Sequence, residues 1–141
     1  MSETVIRRVD GESEAIGNFI NEGFNRYSAQ SNVALNYEPF CFTAENSEGT
    51  TIGVIIGNAY YNEVRIADLI VDEAYRKSGV GSRLVAAVEK AFQGAGYDIV
   101  TLTTFGFQAP DFYKKLGFQV EFIREYSDPK LSKYFFKQEL K

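Results

Sequence analysis

Apolar residues recur along this chain at two spacings, one typical of helices and one typical of strands. Behind Asp10, which can cap a helix, five apolar side chains recur at helical spacing: Ile16, Phe19, Ile20, Phe24 and Tyr27. A second set shares one helix face between Gly79 and a stop at Gly94: Val80, Leu84, Val85, Val88, Ala91 and Phe92. These patterns predict two amphipathic helices, the second over residues 79–93.

Most of the remaining chain is rich in β-branched and aromatic residues separated by turn residues, which predicts strands. Val5, Ile6 and Val9 suggest a short first strand. Further strands are predicted over residues 40–44, 51–61, 64–71, 99–104, 118–123 and 134–140. A short helix is predicted over residues 109–116, with Pro110 in its first turn. The predicted order is β-α-β-β-β-α-β-α-β-β.

The connections between these elements predict a fold class. The strand, helix and strand over residues 64–104 form a right-handed parallel crossover, while short turns join the flanking strands into antiparallel hairpins. We therefore expect an α/β fold with a mixed, mostly antiparallel sheet, a central parallel strand pair and helices on both faces. Because the chain has 141 residues and no repeat or linker, we expect a single domain over residues 1–141.

Composition and charge exclude several classes of function but say little about the fold. The chain has no histidine and one cysteine, Cys41, which excludes Ser-His and Cys-His hydrolases and the common zinc sites. A net charge of −4 and a pI of 4.9 argue against binding to nucleic acid. No apolar run reaches the roughly 18 residues of a membrane span. We expect a cytoplasmic protein without a metal, a nucleic-acid partner or a membrane anchor, and a buried Cys41 thiol.

One segment carries candidate chemistry: a strand, a turn with two glycines and the start of the second helix. Gly79 and Gly81 allow a ligand to approach the backbone, and the first amides of a helix have no internal acceptor. Arg76 and Lys77 add positive charge. A pyrophosphate would suit these donors, but a plain capped turn explains the same residues, so both interpretations stay open. The segment lacks the G-x-x-x-x-G-K-[ST] and G-x-G-x-x-G motifs of nucleotide-binding loops.

The same turn carries a longer pattern, [QR]-x-x-G-x-[GA], as Arg76-Lys77-Ser78-Gly79-Val80-Gly81. Further along, the chain reads Ala109-Pro110-Asp111-Phe112-Tyr113-Lys114-Lys115-Leu116-Gly117-Phe118, which is similar to A-x-x-[FL]-Y-x-x-x-G-F. With both motifs at this spacing, the chain resembles the GNAT superfamily of N-acetyltransferases. The resemblance covers residues 64–118 by motif and most of the remainder by element order, so we expect a GNAT-like sheet.

This resemblance implies a binding site for acetyl-CoA as co-substrate. The strand end would pair with the pantetheine arm, the turn amides would hold the pyrophosphate, and an amide near Ile70 would stabilise the oxyanion. The implied cofactor-binding residues are Leu69, Ile70, Val71, Arg76, Lys77, Ser78, Gly79, Val80, Gly81, Ser82 and Gln108. Gln108 is included because Gly106 stands where many members have asparagine, and the Gln108 amide is the candidate replacement.

The resemblance also implies the catalytic groups. Tyr113 occupies the family's tyrosine position, where the phenol protonates the departing thiolate. The amine must lose a proton before it attacks, and without histidine the candidate bases are Asp68 and Glu63, of which we prefer Asp68. Asp68 faces either the site or solvent, depending on the register of its strand.

The expected function is transfer of an acetyl group from acetyl-CoA to a primary amine of a small molecule or peptide, directly in a ternary complex. A non-catalytic acyl-CoA-binding regulatory module is the alternative, and a protein-binding domain without a ligand is a third. The resemblance also implies that two copies can form a homodimer through sheet edges or through residues 134–140.

Overall fold

The structure, a computed structural model, describes residues 3–34 and 36–140. The chain falls into two compact units, Met1–Leu35 and Asn36–Lys141. The expectation of a single domain over residues 1–141 stays a prediction. Within the described residues, every helix falls short of the length and apolar character that a bilayer crossing requires.

The first unit contains helix α1, Glu14–Gln30. The Ser13 hydroxyl accepts a hydrogen bond from the Ile16 amide at 3.2 Å and caps the helix. The cap is therefore Ser13, and the prediction of Asp10 in that role is wrong.

The predicted first strand is also wrong, because residues 3–13 contain no strand. Val5 and Ile6 are 70% and 90% exposed. Two adjacent apolar residues followed by Arg7 and Arg8 do not alternate, so an extended chain could not place its apolar side chains on one face. A strand here would bury little apolar surface.

Over residues 36–140, the described part of the second unit contains six strands, two helices and two 3₁₀ turns. The strands are β1 Glu38–Glu45, β2 Thr51–Tyr60, β3 Glu63–Val71, β4 Ile99–Phe105, β5 Gln119–Arg124 and β6 Lys133–Glu139. The helices are α2 Val80–Phe92 and α3 Pro110–Lys115, and the 3₁₀ turns are Glu73–Tyr75 and Pro129–Leu131. The helices and strands agree with their predicted bounds to within two residues.

The six strands form one sheet in the order β1-β2-β3-β4-β6-β5. Strands β3 and β4 are parallel and are connected through α2, while the other neighbouring pairs are antiparallel. The predicted mixed, mostly antiparallel sheet with a central parallel pair is confirmed.

The core of the second unit lies on one face of this sheet, where α2 and α3 pack. Strand pairing places buried Val64 beside Val100 and buried Leu102 beside Phe136. Helix α2 covers them with its predicted apolar face, of which four side chains are buried: Leu84, Val85, Val88 and Phe92. We call this the helix face of the sheet, and the other the open side of the strands.

Cys41 lies on the open side. Its neighbours Phe40 and Phe42 pack against the core on the helix face. Because successive side chains of a strand alternate, Cys41 projects the other way and is exposed. The prediction of a buried thiol is wrong, because the flanking phenylalanines determine which face the cysteine takes.

Candidate active site

Strands β3 and β4 separate partway along their length. They pair at only three positions of β3: Glu63, Val64 and Arg65. Beyond these, residues 66–71 of β3 pair with β2 alone, whereas β4 pairs with β6 to its end. Main-chain groups on the β4 side of residues 66–71 therefore have no strand partner in the described structure. We call this wedge the β3/β4 opening.

A bulge at Ala67 decides which way the last residues of β3 face. The pairing with β2 advances by two residues of β3, from Ile66 to Asp68, for one residue of β2. Without the extra residue, Asp68 would share the buried face of Ile66. With it, Asp68 is exposed on the open side, and Leu69 packs against the core. The register question is thereby answered: Asp68 points away from α2 and α3.

The turn before α2 presents a row of main-chain donors. Gly79 is the N-cap of this helix, and no side chain caps it. The first helical hydrogen bond joins the Arg83 amide to the Gly79 carbonyl at 3.0 Å. The amides of residues 77–82, which we call the amide turn, have no hydrogen-bond acceptor within residues 3–34 and 36–140. Together with the helix dipole, these donors are suited to an anion.

The two glycines of the amide turn are needed for different reasons. Gly79 has a φ of 87°, a left-handed conformation that costs residues with a side chain roughly 1–2 kcal/mol. A Cβ at this position would meet no neighbouring atom, so the need for glycine is conformational and not steric. At Gly81, a Cβ would lie 3.1 Å from the Phe112 ring and 3.8 Å from Val71. Gly79 sets the conformation of the turn, whereas Gly81 lets α3 approach it.

Of the polar side chains beside the amide turn, two donate hydrogen bonds to the backbone of the protein and one has no partner. The Arg76 Nε donates to the Val71 carbonyl at 3.2 Å, and the Ser78 hydroxyl donates to the Tyr75 carbonyl. Arg76 therefore ties the turn to the end of β3 and occupies the Val71 carbonyl that was expected to face the pantetheine arm. Lys77 is exposed, and its ammonium has no partner in the described part of the chain.

Tyr113 lies in α3 with its ring buried and 7% of its surface exposed. Its ring centroid is 5.0 Å from that of Phe112, 5.7 Å from that of Phe118 and 6.0 Å from that of Phe136. This burial raises the pKa of Tyr113 to about 12. Among the described residues, the Tyr113 hydroxyl has no hydrogen-bond partner. Every described side-chain nitrogen or oxygen atom that is fully buried does have such a partner. The phenol oxygen therefore reaches accessible surface and carries its proton at neutral pH.

The predicted site residues fall into two groups. Val71, Gly81 and Phe112 meet at one point, so the end of β3, the amide turn and the helix of Tyr113 are neighbours on the helix face. Asp68 lies on the open side. A reactant could reach both Tyr113 and Asp68 only through the β3/β4 opening, because the sheet lies between them.

Glu63, the second candidate base, is engaged at the paired end of β3. Its Oε1 accepts from the Thr101 hydroxyl at 3.0 Å and from the Tyr60 hydroxyl at 3.5 Å. Burial, followed by the Glu63 carboxylate, raises the pKa of Tyr60. Glu63 thus lies at the end of the strand away from the β3/β4 opening, which favours Asp68 between the two acids.

Contacts within the protein explain where the Gln108 side chain lies and why residue 106 is glycine. The Gln108 Oε1 accepts from the Phe105 amide at 2.9 Å and from the Thr104 hydroxyl at 3.4 Å. A Cβ at Gly106 would overlap the Pro129 carbonyl oxygen. An asparagine cannot enter this backbone without moving the 3₁₀ turn, so the departure from the family pattern follows from local packing.

Three contributors to the site were not singled out from the sequence. Ala67 had a signal, since the three-residue step from Ile66 to Leu69 breaks strand alternation and marks a bulge. Phe112 stands in a recognised motif, but its contact with Gly81 requires the tertiary structure. Thr104 had no signal at all, because its role depends on α3 folding back to it.

Comparisons with known proteins identify the family of this chain and proteins that share its fold. The Acetyltransferase (GNAT) domain family matches residues 38–120. Blasticidin-S acetyltransferase from Streptomyces morookaense is 31% identical over 84 residues, which is 59% of this chain, and the match spans 62% of that relative's length.

Two solved structures extend the likeness to the fold. An acetyltransferase from Bacillus cereus superimposes with a TM-score of 0.78 at 28% identity, covering 95% of this chain and 98% of that one. A proposed streptothricin acetyltransferase from Bacillus anthracis, solved in complex with acetyl coenzyme A, has a TM-score of 0.65 at 23% identity. The match covers 73% of this chain and 63% of the Bacillus anthracis protein.

The family match spans more than half of the chain, and this protein therefore belongs to the GNAT acetyltransferase family. The resemblance inferred from two motifs is confirmed, as is the expected fold. The individual site residues stay predictions.

Proposed function

We propose that this protein transfers an acetyl group from acetyl-CoA to a primary amine of a small molecule or peptide, directly within a ternary complex. The observation that carries the proposal is the amide turn. Six consecutive main-chain donors without an acceptor stand beside the β3/β4 opening and beside the helix that bears Tyr113. Donors arranged in this way, at the start of a helix in a family of acetyltransferases, would suit a bound pyrophosphate.

The residues present fit acetyl-CoA by the chemistry of their donors. The amides of residues 77–82 would hold the pyrophosphate, and the unpaired Lys77 ammonium would add charge. The free edge of Leu69 and Ile70 would hold the pantetheine arm by main-chain hydrogen bonds. When bound, acetyl-CoA would supply the activated acetyl group as a thioester.

Tyr113 would act as the general acid of this reaction. Because burial raises its pKa to about 12, the phenol holds its proton throughout the physiological range. Its oxygen reaches accessible surface, and its ring lies 5.0 Å from the ring of Phe112, which contacts Gly81 of the amide turn. From there, it would donate a hydrogen bond and then a proton to the departing sulfur.

Asp68 would act as the base on the open side of the strands. A primary amine is an ammonium ion at neutral pH and must lose a proton to become a nucleophile. The bulge at Ala67 exposes Asp68 on the side opposite Tyr113, so the acid and base would serve a reactant from the two sides of the β3/β4 opening. An amide near Ile70 would polarise the carbonyl in this opening.

The proposed class of amine acceptor is inferred from the name of a related protein and not from the geometry of the site. A curated relative is named a blasticidin-S acetyltransferase, which supports a small amine-bearing acceptor. The cytoplasmic location and the homodimer remain predictions from the sequence and the family.

A thermal-melt titration tests the proposal first. Acetyl-CoA at a hundred times its Kd should add about 2.7 kcal/mol of native-state stability, which raises the Tm by several degrees. ATP and NAD, which share the adenine nucleotide but lack pantetheine, are the controls. No shift with millimolar acetyl-CoA would contradict the proposal.

Turnover with a panel of amines then separates transfer from binding. Release of the CoA thiol that depends on an amine supports the enzyme, and Tyr113→Phe should lower kcat while leaving acetyl-CoA affinity nearly unchanged. A melting shift without thiol release from any amine would instead support a regulatory module that binds acyl-CoA.

A further inference from the structure

The chain between β4 and α3 uses all of its main-chain donors internally. The Gly106 amide donates to the Ser132 carbonyl at 2.8 Å, and the Phe107 amide donates to the Lys130 carbonyl at 3.1 Å. The Gln108 amide donates to the Phe105 carbonyl at 2.9 Å. Together with the side-chain bonds described next, these bonds hold every amide of residues 105–109, a segment that we call the α3 anchor.

Two side chains complete the α3 anchor. Thr104 is 5% exposed, and its hydroxyl accepts from the Ala109 amide at 3.3 Å while donating to the Gln108 Oε1 at 3.4 Å. The same Oε1 accepts from the Phe105 amide at 2.9 Å. One oxygen of Gln108 and one of Thr104 therefore join the last residues of β4 to the residue that precedes α3.

Helix α3 depends on this anchor because it is short. Pro110–Lys115 has six residues and no side-chain cap, and a helix of this length is not stable by itself. Its Tyr113 amide donates to the Ala109 carbonyl at 3.3 Å. A continuous series of hydrogen bonds thus leads from Gln108 through Thr104 and Ala109 to the backbone of Tyr113.

We infer that Thr104 and Gln108 are positioning residues for Tyr113. This inference rests on the proposed function, in which Tyr113 is the acid. By fixing Ala109 against the end of β4, the two side chains set the position of α3 and of the Tyr113 ring that it carries. Gln108 therefore acts through its Oε1 toward the protein, and its expected role as a ligand of acetyl-CoA stays a prediction.

Matched substitutions separate the anchor oxygen atoms from side-chain volume. Thr104→Val removes the hydroxyl at nearly constant volume, and Thr104→Ser restores it. Gln108→Ala removes the acceptor, whereas Gln108→Glu keeps an acceptor and removes the amide donor. Thr104→Val and Gln108→Ala each remove two of these hydrogen bonds, and we expect each to lower kcat about fivefold or more, with smaller losses in Thr104→Ser and Gln108→Glu. The Kd for acetyl-CoA should stay within twofold, by the same reasoning.

Hydrogen exchange provides a readout that does not require turnover. The amides of Tyr113 and Leu116, which bond to Ala109 and Phe112, should exchange faster in Thr104→Val than in Thr104→Ser. Equal protection in the two variants would overturn the inference, whether or not the protein acetylates anything.

A double-mutant cycle with Tyr113→Phe distinguishes positioning from general destabilisation. If Thr104 acts through the phenol, Thr104→Val should cost little further kcat once the hydroxyl is gone. Additive losses would overturn the inference and leave the proposed function standing. If Tyr113→Phe keeps full activity, the acid assignment and the positioning role both fail. A Gln108→Glu variant that loses acetyl-CoA affinity while Gln108→Ala behaves likewise would restore Gln108 as a ligand and overturn the inference.

Discussion

The segments that lead into helices α2 and α3 differ in how their main-chain amides are satisfied. In both helices the first amides, those of residues 80–82 in α2 and of residues 111 and 112 in α3, have no acceptor in the described structure, so the difference lies in the residues just before each helix. Before α2, the six amides of residues 77–82 have no acceptor in the described structure. Before α3, every amide of residues 105–109 is held by a neighbouring carbonyl or by the oxygens of Thr104 and Gln108.

The comparison separates the candidate ligand-binding turn from the segment that supports a reactive group. The amides of residues 77–82 lie in an exposed or half-buried turn, where the dipole of α2 adds partial positive charge, so these donors are available to an anion. A fully satisfied turn indicates rigidity. In this protein the unsatisfied turn is the candidate cofactor site, and the satisfied one holds the helix of Tyr113.

Disrupting the satisfied turn should have the largest effect. Gly106→Asn introduces the residue that many family members carry, but its Cβ would overlap the Pro129 carbonyl oxygen. We expect a loss of about 3 kcal/mol in the free energy of unfolding, the upper end of the usual cost of overpacking, measured by urea denaturation. Gly23→Asn is the control, because Gly23 has open space around its Cβ position. Equal stability of the two variants would contradict this account of the turn.

Ionising the buried phenol that this turn supports should come next. Below pH 10 the Tyr113 phenol is protonated in both the folded and the unfolded chain; between pH 10.0 and about 12 only the unfolded phenol ionises. Stability therefore falls as pH rises through this window, by roughly 2 to 3 kcal/mol. Comparing unfolding at pH 9 and above pH 11 with that of Tyr113→Phe isolates the effect, since the variant lacks this ionisation. Parallel curves would show that the phenol is not buried as described.

Distorting the unsatisfied turn should weaken binding rather than folding alone. Gly79→Ala forces a side chain onto a φ of 87° and should raise the Kd for acetyl-CoA about tenfold, because the amides no longer converge. Gly94→Ala is the matched control. Gly94 also has a positive φ, 75°, and open space around its Cβ position, but it lies just past the other end of α2. The control should lose similar stability and no affinity. An equal loss of affinity in both variants would remove the amide turn as the binding site.

Neutralising charge at the same turn should have the smallest effect. Lys77→Gln removes one exposed ammonium beside the amides, and we expect about a threefold increase in the Kd, which high salt should abolish. Lys90→Gln, at the last turn of α2, should change nothing in calorimetric titrations with acetyl-CoA. A larger loss at Lys90 than at Lys77 would place the anion elsewhere.

Local sequence patterns were enough to predict the glycine-containing turn before α2, the order of elements in the second unit and the family. These depend on local patterns: Gly79 and Gly81 in a short motif, apolar periodicity in α2, and Tyr113 within a second motif. Local periodicity failed at Val5 and Ile6, where apolar residues lack alternation and gain no burial, and at Cys41, whose exposure depends on its neighbours.

The spatial relations among these parts became visible only in the folded chain. The bulge at Ala67 turned Asp68 to the side opposite Tyr113, and the overlap at Gly106 explained a missing asparagine. The contact of Gly81 with Phe112 joined two motifs that are distant in sequence, and Gln108 proved to bond to its own chain. The physical reason is that register, close packing and hydrogen-bond satisfaction depend on residues brought together by folding, which no local pattern specifies.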